Sequence, residues 1–282
     1  DSNGASVILS NSTNETSDIT IGIDVSKFQG TIDWAQVASS GVDFAMIRVG
    51  YRAQKTGVIY ADTNAKYNMQ QAAANGIKVG AYFFSSAVNE AEAVEEADWV
   101  ADFISDYSIT YPVAFDCEGF NTSESRQKSM TKAERTAVAA TFLQEIYDKG
   151  YTPMFYAASS ELTNNSQWNT ASLESSYKIW VAQYPSTPYP ETPSTSYTGT
   201  CSMWQYTNQG RVAGIGTNVD INVAYFGYSE INGSLSGETA AAASPDVEAG
   251  MVFTSVNDTV TAKDEVRLRD KPSQDTDATV IA

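Results

Sequence analysis

From Ile19 onward, short apolar runs alternate with longer amphipathic stretches, and this alternation constrains the fold more than any other feature of the chain. Strand-like runs at residues 21–25, 44–49, 78–84 and 111–118 are each followed by a helical pattern, at about 33–39, 63–75, 90–107 and 132–149. Four more runs, at 152–157, 178–183, 202–206 and 219–222, complete a set of eight. Strand followed by helix followed by strand implies a parallel sheet with crossover helices. Eight such strands within residues 19–229 imply an α/β fold closed as a (β/α)8, TIM-like barrel. The second half is poor in helical pattern, and residues 186–200 form a loop rich in Pro, Ser, Thr and Tyr. The expected barrel is therefore irregular.

The flanks read differently. Residues 1–18 are polar, rich in Ser, Asn and Thr, and read as a loose N-terminal tail. The apolar core of a signal peptide is missing from them, so such a leader would already be removed or was never there. Residues 230–249 carry no periodicity and read as a linker. Residues 250–282 alternate like short strands at 251–255, 260–262 and 266–269. That is too little chain for an independent β domain, so the segment reads as the truncated front of one.

Composition then narrows the chemistry. The chain contains no histidine, which removes Ser-His-Asp and Cys-His catalysis and His-liganded zinc together. Acid–base work falls to Asp, Glu, Lys or Tyr. The net charge of -17 repels nucleic acid and anionic lipid, so neither is an expected partner. Apolar runs stay well short of the roughly 18 residues of a membrane helix, and no membrane insertion is expected. Abundant Tyr, Phe and Trp suit recognition by ring faces, as in sugar binding. Cys117 and Cys201 could pair or remain two buried thiols; their positions in strand-like runs favour thiols.

The fourth strand ends in Asp116-Cys117-Glu118. Alternate strand residues share a face, so the two acids point one way and Cys117 the other, toward the helices. At the C-terminal end of a barrel strand they would line an active site. Two adjacent carboxyls push their pKa values apart, so that one serves as a general acid while the other stays ionised. Glycosidic cleavage needs that combination. The simpler reading is that such acids face solvent or cap the next helix. Against it, Asp24 ends the first strand and Asp220 lies in the last, and those strands are neighbours in a closed barrel. Arg48 interrupts an apolar strand, and either pairs with Asp24 or extends out of the strand end. Tyr51, Tyr82, Phe84, Tyr156, Trp180 and Trp204 recur at strand ends and together suggest a groove. Gln183, Gln205 and Asn222 could add hydrogen bonds.

The chain also resembles family 25 glycoside hydrolases, the Chalaropsis-type lysozymes. The resemblance is carried by Gly22-Ile23-Asp24-Val25-Ser26 with Phe28-Gln29-Gly30, by Phe44 to Tyr51, and by Gly80-Ala81-Tyr82-Phe83-Phe84. It continues through Asp116-x-Glu118, Trp180-Val181-Ala182-Gln183-Tyr184, Trp204-Gln205-Tyr206 and Val219-Asp220-Ile221-Asn222. It implies an N-acetylmuramidase that cleaves the β-1,4 bond between N-acetylmuramic acid and N-acetylglucosamine in peptidoglycan strands. Glu118 would be the acid/base. Asp116 would stabilise positive charge, through the substrate's N-acetyl group or directly. Asp24 and Asp220 would hold the pair's charge state and contact the sugar, and Tyr51, Tyr82, Tyr156, Trp180, Gln183 and Trp204 would bind it. Phe83 departs from the pattern, since many members carry His there. Residues 261–273 resemble the start of a bacterial SH3-like, wall-anchoring domain. A monomer, secreted and associated with the cell wall, needing no metal or other cofactor, is expected. Two other classes stay open: a non-catalytic glycan binder, which would be marked by a lost acid, and a divalent-metal hydrolase, which would be sensitive to chelation.

Overall fold

A computed structural model describes residues 9–12, 14–229, 268–269 and 280–281. The chain divides into two compact units after Thr239. In the first, eight strands close into a barrel: β1 Thr20–Val25, β2 Phe44–Arg52, β3 Lys78–Phe84, β4 Val113–Asp116, β5 Pro153–Ala158, β6 Lys178–Ala182, β7 Met203–Gly210 and β8 Val219–Ala224. Neighbours from β1 through β7 pair in parallel. The short strand Ile59–Ala61 folds back antiparallel on β2.

The last strand departs from an ideal repeat. β8 runs antiparallel to both β7 and β1 and closes the ring between them. The reason is connection length. Parallel neighbours need a crossover of a dozen or more residues, whereas antiparallel neighbours can be joined by a turn. Residues 211–218 are too few for a crossover. Because β8 runs the other way, its first residues lie at the rim where the other strands end.

Helices α1 Trp34–Ser39, α2 Ala65–Ala74, α3 Glu90–Ile104 and α4 Lys132–Asp148 follow β1 to β4. Their starts are set by side-chain caps. Asp33 accepts from the Gln36 amide, Asn89 from Glu92, and Thr131 with Glu134 forms a reciprocal capping box. Two short helices, α5 Ser159–Leu162 and α6 Thr170–Glu174, join β5 to β6. The sequence pattern does not show them, because four or five residues are too short for a helical period.

The period of two along each strand separates two cores. On β2, Phe44 and Met46 face the barrel interior with Tyr111, Met154, Trp180 and Met203. Ala45, Ile47 and Val49 face the helices. Phe44 stacks on Tyr111 with ring centres 4.3 Å apart. Gly22 and Gly80 leave the room for this plug. A Cβ on Gly22 would stand 2.4 Å from the Phe44 ring, and one on Gly80 2.4 Å from the Met46 sulfur. The lower barrel is thus filled, and only the upper end stays open.

The expected loose tail is corrected from Leu9 onward. The Asn11 amide donates to the carbonyls of Tyr147 and Tyr151, and Glu15–Thr16 pairs with Gly227–Tyr228. Glu15 also forms a 2.8 Å ion pair with Lys178 at the start of β6. The polar residues that look like disorder in the sequence satisfy backbone groups at the closed end of the barrel. The linker expected over 230–249 lies outside the described residues, as does most of 250–282. Within the latter, Leu268–Arg269 pairs antiparallel with Val280–Ile281.

Candidate active site

The open end holds a cavity of about 370 Å³ whose walls carry Asp24, Asp116, Glu118 and Asp220. A larger open groove of about 720 Å³ lies along α1, α2 and residues 214–216. Its single carboxylate, Asp33, is occupied in capping α1, so chemistry belongs to the smaller cavity.

One wall is β4. Asp116 is its last residue, and Glu118 lies two beyond, so both acids face inward as alternation requires. Gly119 has φ +65°, a left-handed conformation that turns the chain away directly after Glu118. The Gln54 amide donates to the Glu118 carbonyl at 2.9 Å and fixes this turn. Asp116 is buried, and its Oδ1 has no hydrogen-bond partner among the described residues. Burial, then the charge of Glu118, holds the Asp116 carboxyl well above the ordinary carboxylate range. Glu118 stays accessible at the mouth, but enclosure by the cavity walls pushes its carboxyl up. A Tyr156 hydrogen bond opposes that shift and the charge of Asp220 adds to it.

The opposite wall is the seam between β1 and β8, where Asp24 and Asp220 stand in register. Asp24 Oδ2 accepts from Gln205 Nε2 at 2.8 Å and Asn222 Nδ2 at 2.9 Å. Asn222 in turn accepts from Trp180 Nε1 at 2.8 Å. Gln205 accepts from the hydroxyls of Tyr156 at 3.0 Å and Tyr184 at 2.5 Å. Asp24 and Asp220 are close enough for their charges to act on each other. Burial raises both, and mutual repulsion raises Asp24 further. Four carboxyls in one enclosed space cannot all ionise near neutrality.

Of the residues expected to bind substrate, Tyr82, Tyr156 and Trp180 line the cavity. Three others do not. Trp204 is fully buried on the outer side of β7, its indole donating to the Gln183 carbonyl; alternation turns Gln205, not Trp204, inward. Gln183 follows inward-facing Ala182 and points out, where its amide holds Thr195 and Ser196 of the long loop. Tyr51 lies on the shoulder beside the cavity, stacked on Tyr60. Arg48 pairs with Asp62 at 2.7 Å, not with Asp24, whose Oδ2 is taken by two amides. Phe83 is buried against Trp99 and Phe142 in the outer core, so its departure from the family pattern does not touch the cavity. Cys117 and Cys201 are both free thiols.

Three residues given no site role by the sequence also line the cavity: Ser26 and Tyr184, which the resemblance motifs contain, and Asn208. Glu161, just past β5, is a further carboxyl raised by burial, and its charge acts on Asp116. An acid three residues beyond a strand end was the available signal.

The family model for glycosyl hydrolases family 25 matches residues 23–215. The chain belongs to this family. That span takes in seven of the eight barrel strands and three of the four cavity acids; Asp220 lies just beyond it. Among relatives of this family 25 chain, Lysozyme M1 of Streptomyces globisporus is 31% identical over 213 residues, covering 71% of this chain and 66% of that protein. The modular autolysin LytC of Streptococcus pneumoniae, solved with a synthetic peptidoglycan ligand, superposes with a TM-score of 0.58 at 25% identity. That match covers 74% of this chain and 47% of LytC. The bacterial lysozyme of Streptomyces coelicolor gives a TM-score of 0.54 at 24% identity, over 78% of this chain and 95% of that one. The family 25 chain thus spans about two thirds of Lysozyme M1 and about half of LytC. It has the closed, irregular β/α barrel of a glycoside hydrolase family.

Proposed function

We propose that the chain is a 1,4-β-N-acetylmuramidase that hydrolyses the bond between N-acetylmuramic acid and N-acetylglucosamine in peptidoglycan, with Glu118 as acid/base. One observation carries this reading: Asp116 and Glu118 share a wall of a cavity in which Asp24, opposite, is already held by two amides.

Crowding keeps Glu118 protonated at the pH of the reaction, ready to protonate the leaving 4-oxygen of N-acetylglucosamine. With substrate bound, the polar acetamido group and the positive charge that develops at the muramic acid ring favour the ionised form of Asp116, against the burial that raises it in the free protein. Asp116 orients the substrate's own acetamido oxygen for attack on the anomeric carbon. Glu118, now ionised, takes a proton from the water that opens the cyclised intermediate. The Tyr156 hydroxyl lies within reach of both Gln205 and Glu118, so its single proton can turn to Glu118 once that carboxylate is charged. Asp24 and Asp220 keep negative charge near the ring and contact the sugar.

The lysozyme names of its relatives support this reading. A non-catalytic glycan binder has less support, because all four cavity acids are retained. Among the described residues, no group of three or more His, Cys, Asp or Glu side chains could hold a metal ion. Such an enzyme acts outside the cell, on the wall, as a monomer. No helix among the described residues is long and apolar enough to cross a membrane. Digestion of purified peptidoglycan followed by mass spectrometry of reduced ends tests the assignment. New N-acetylmuramic acid ends are expected; new N-acetylglucosamine ends would overturn it.

A further inference from the structure

Beside the acidic cavity stands a shoulder of opposite character. Phe28 is 70% exposed, the most open of the large apolar side chains among the described residues, and Tyr60 is 47% exposed. Tyr51 and Tyr60 stack with ring centres 5.6 Å apart. Lys27 Nζ lies 5.6 Å from the Phe28 ring centre and 5.5 Å from that of Tyr51. Arg48 supports the same two rings from 5.0 and 5.6 Å.

The cations differ. Asp62 neutralises Arg48, whereas no carboxylate pairs with the Lys27 ammonium among the described residues. The turn that presents Lys27 and Phe28 is braced on both sides: Ser26 and Gln29 form a reciprocal capping box, and Asn64 donates to the Gly30 carbonyl at 2.8 Å. Phe28 and Arg48 also line the cavity, so shoulder and cavity are continuous.

We propose that Lys27, with Phe28, Tyr51 and Tyr60, binds the carboxylate-bearing stem peptide of the glycan strand, an assignment that rests on the muramidase reading. Neutral sugar rings can enter a cavity walled by four acids. The carboxylates of a stem peptide cannot, and are drawn instead to the Lys27 ammonium on the adjoining shoulder. Charge complementarity of this kind fixes which way a branched polymer lies in a groove. The exposed rings pack against the peptide's apolar portions.

The test compares two soluble ligands: peptidoglycan strand fragments with free stem-peptide carboxylates, and the same fragments with those carboxylates converted to amides. Binding is measured by calorimetry on the full chain carrying Glu118→Gln, which prevents turnover. Lys27→Glu is expected to weaken the free-carboxylate ligand about tenfold, with no change for the amidated ligand. Lys27→Arg should restore most of the loss, and added salt should shrink the difference. Phe28→Ala should weaken both ligands about fivefold, since each keeps the peptide's apolar portions. Equal losses on both ligands from Lys27→Glu, or none on either, would overturn the proposal. Thermal unfolding of each variant excludes misfolding as the cause. Because this assay needs no cleavage, a failure of the muramidase assignment would show separately, as absent product from the unsubstituted chain.

Discussion

The two walls of the cavity carry the same chemical groups under opposite conditions. On the β1–β8 seam, Asp24 is held by Gln205 and Asn222, which are themselves fixed by Tyr156, Tyr184 and Trp180. On β4, Asp116 Oδ1 has no partner among the described residues, and Glu118 stands at an open mouth. A satisfied carboxylate has little left to offer a substrate. An unsatisfied one is costly in the empty protein, and gains most when a polar or positive group arrives. In the mechanism proposed, the seam sets the electrostatic background and the β4 wall does the chemistry.

Breaking the β4 wall should therefore have the largest effect. Glu118→Gln removes the transferable proton and is expected to lower kcat on peptidoglycan about a thousandfold, with an unchanged circular dichroism spectrum. Asp116→Asn, which removes the charge opposite the reacting sugar, should lower kcat by roughly a hundredfold or more. The seam should be more forgiving. Asn222→Ala takes one of two amides from Asp24 and should cost roughly tenfold in rate, because the remaining Gln205 bond preserves its orientation.

The smallest expected effect concerns stability and has the opposite sign. Burial raises Asp116 in the folded chain relative to about 3.9 unfolded. Between those two values the folded state holds the proton more tightly, so its contribution to stability falls as pH rises. Asp116→Asn has no such loss. Its melting temperature should exceed that of the unsubstituted chain by a few degrees at pH 8, with the gap narrowing toward pH 4. Calorimetric scans across that range measure the difference.

Much of this was legible in the sequence. The eight strands, the order of the first four helices and the inward pair at 116 and 118 follow from periodicity alone, and the neighbouring of Asp24 and Asp220 follows from closure. What periodicity leaves out is direction and parity. Nothing in residues 219–222 shows that β8 runs backward; the clue is the short 211–218 connection. Trp204 and Gln183 looked like site residues because they are large or polar near strand ends. Their faces are decided by a phase that Gln205 and Ala182 occupy. Arg48 pairs with a residue that neither of its two expectations names: Asp62 comes from the segment after a hairpin strand that the pattern does not mark. Asn11 and Glu15 read as tail because their backbone partners are far away in the chain.

The division of labour between the walls is tested most directly by measuring kcat for Glu118→Gln and Asn222→Ala side by side, counting new N-acetylmuramic acid ends released from one peptidoglycan preparation. The expected result is a rate for Asn222→Ala about a hundredfold above that of Glu118→Gln. Equal rates, or a faster Glu118→Gln, would contradict the assignment of the chemistry to the β4 wall.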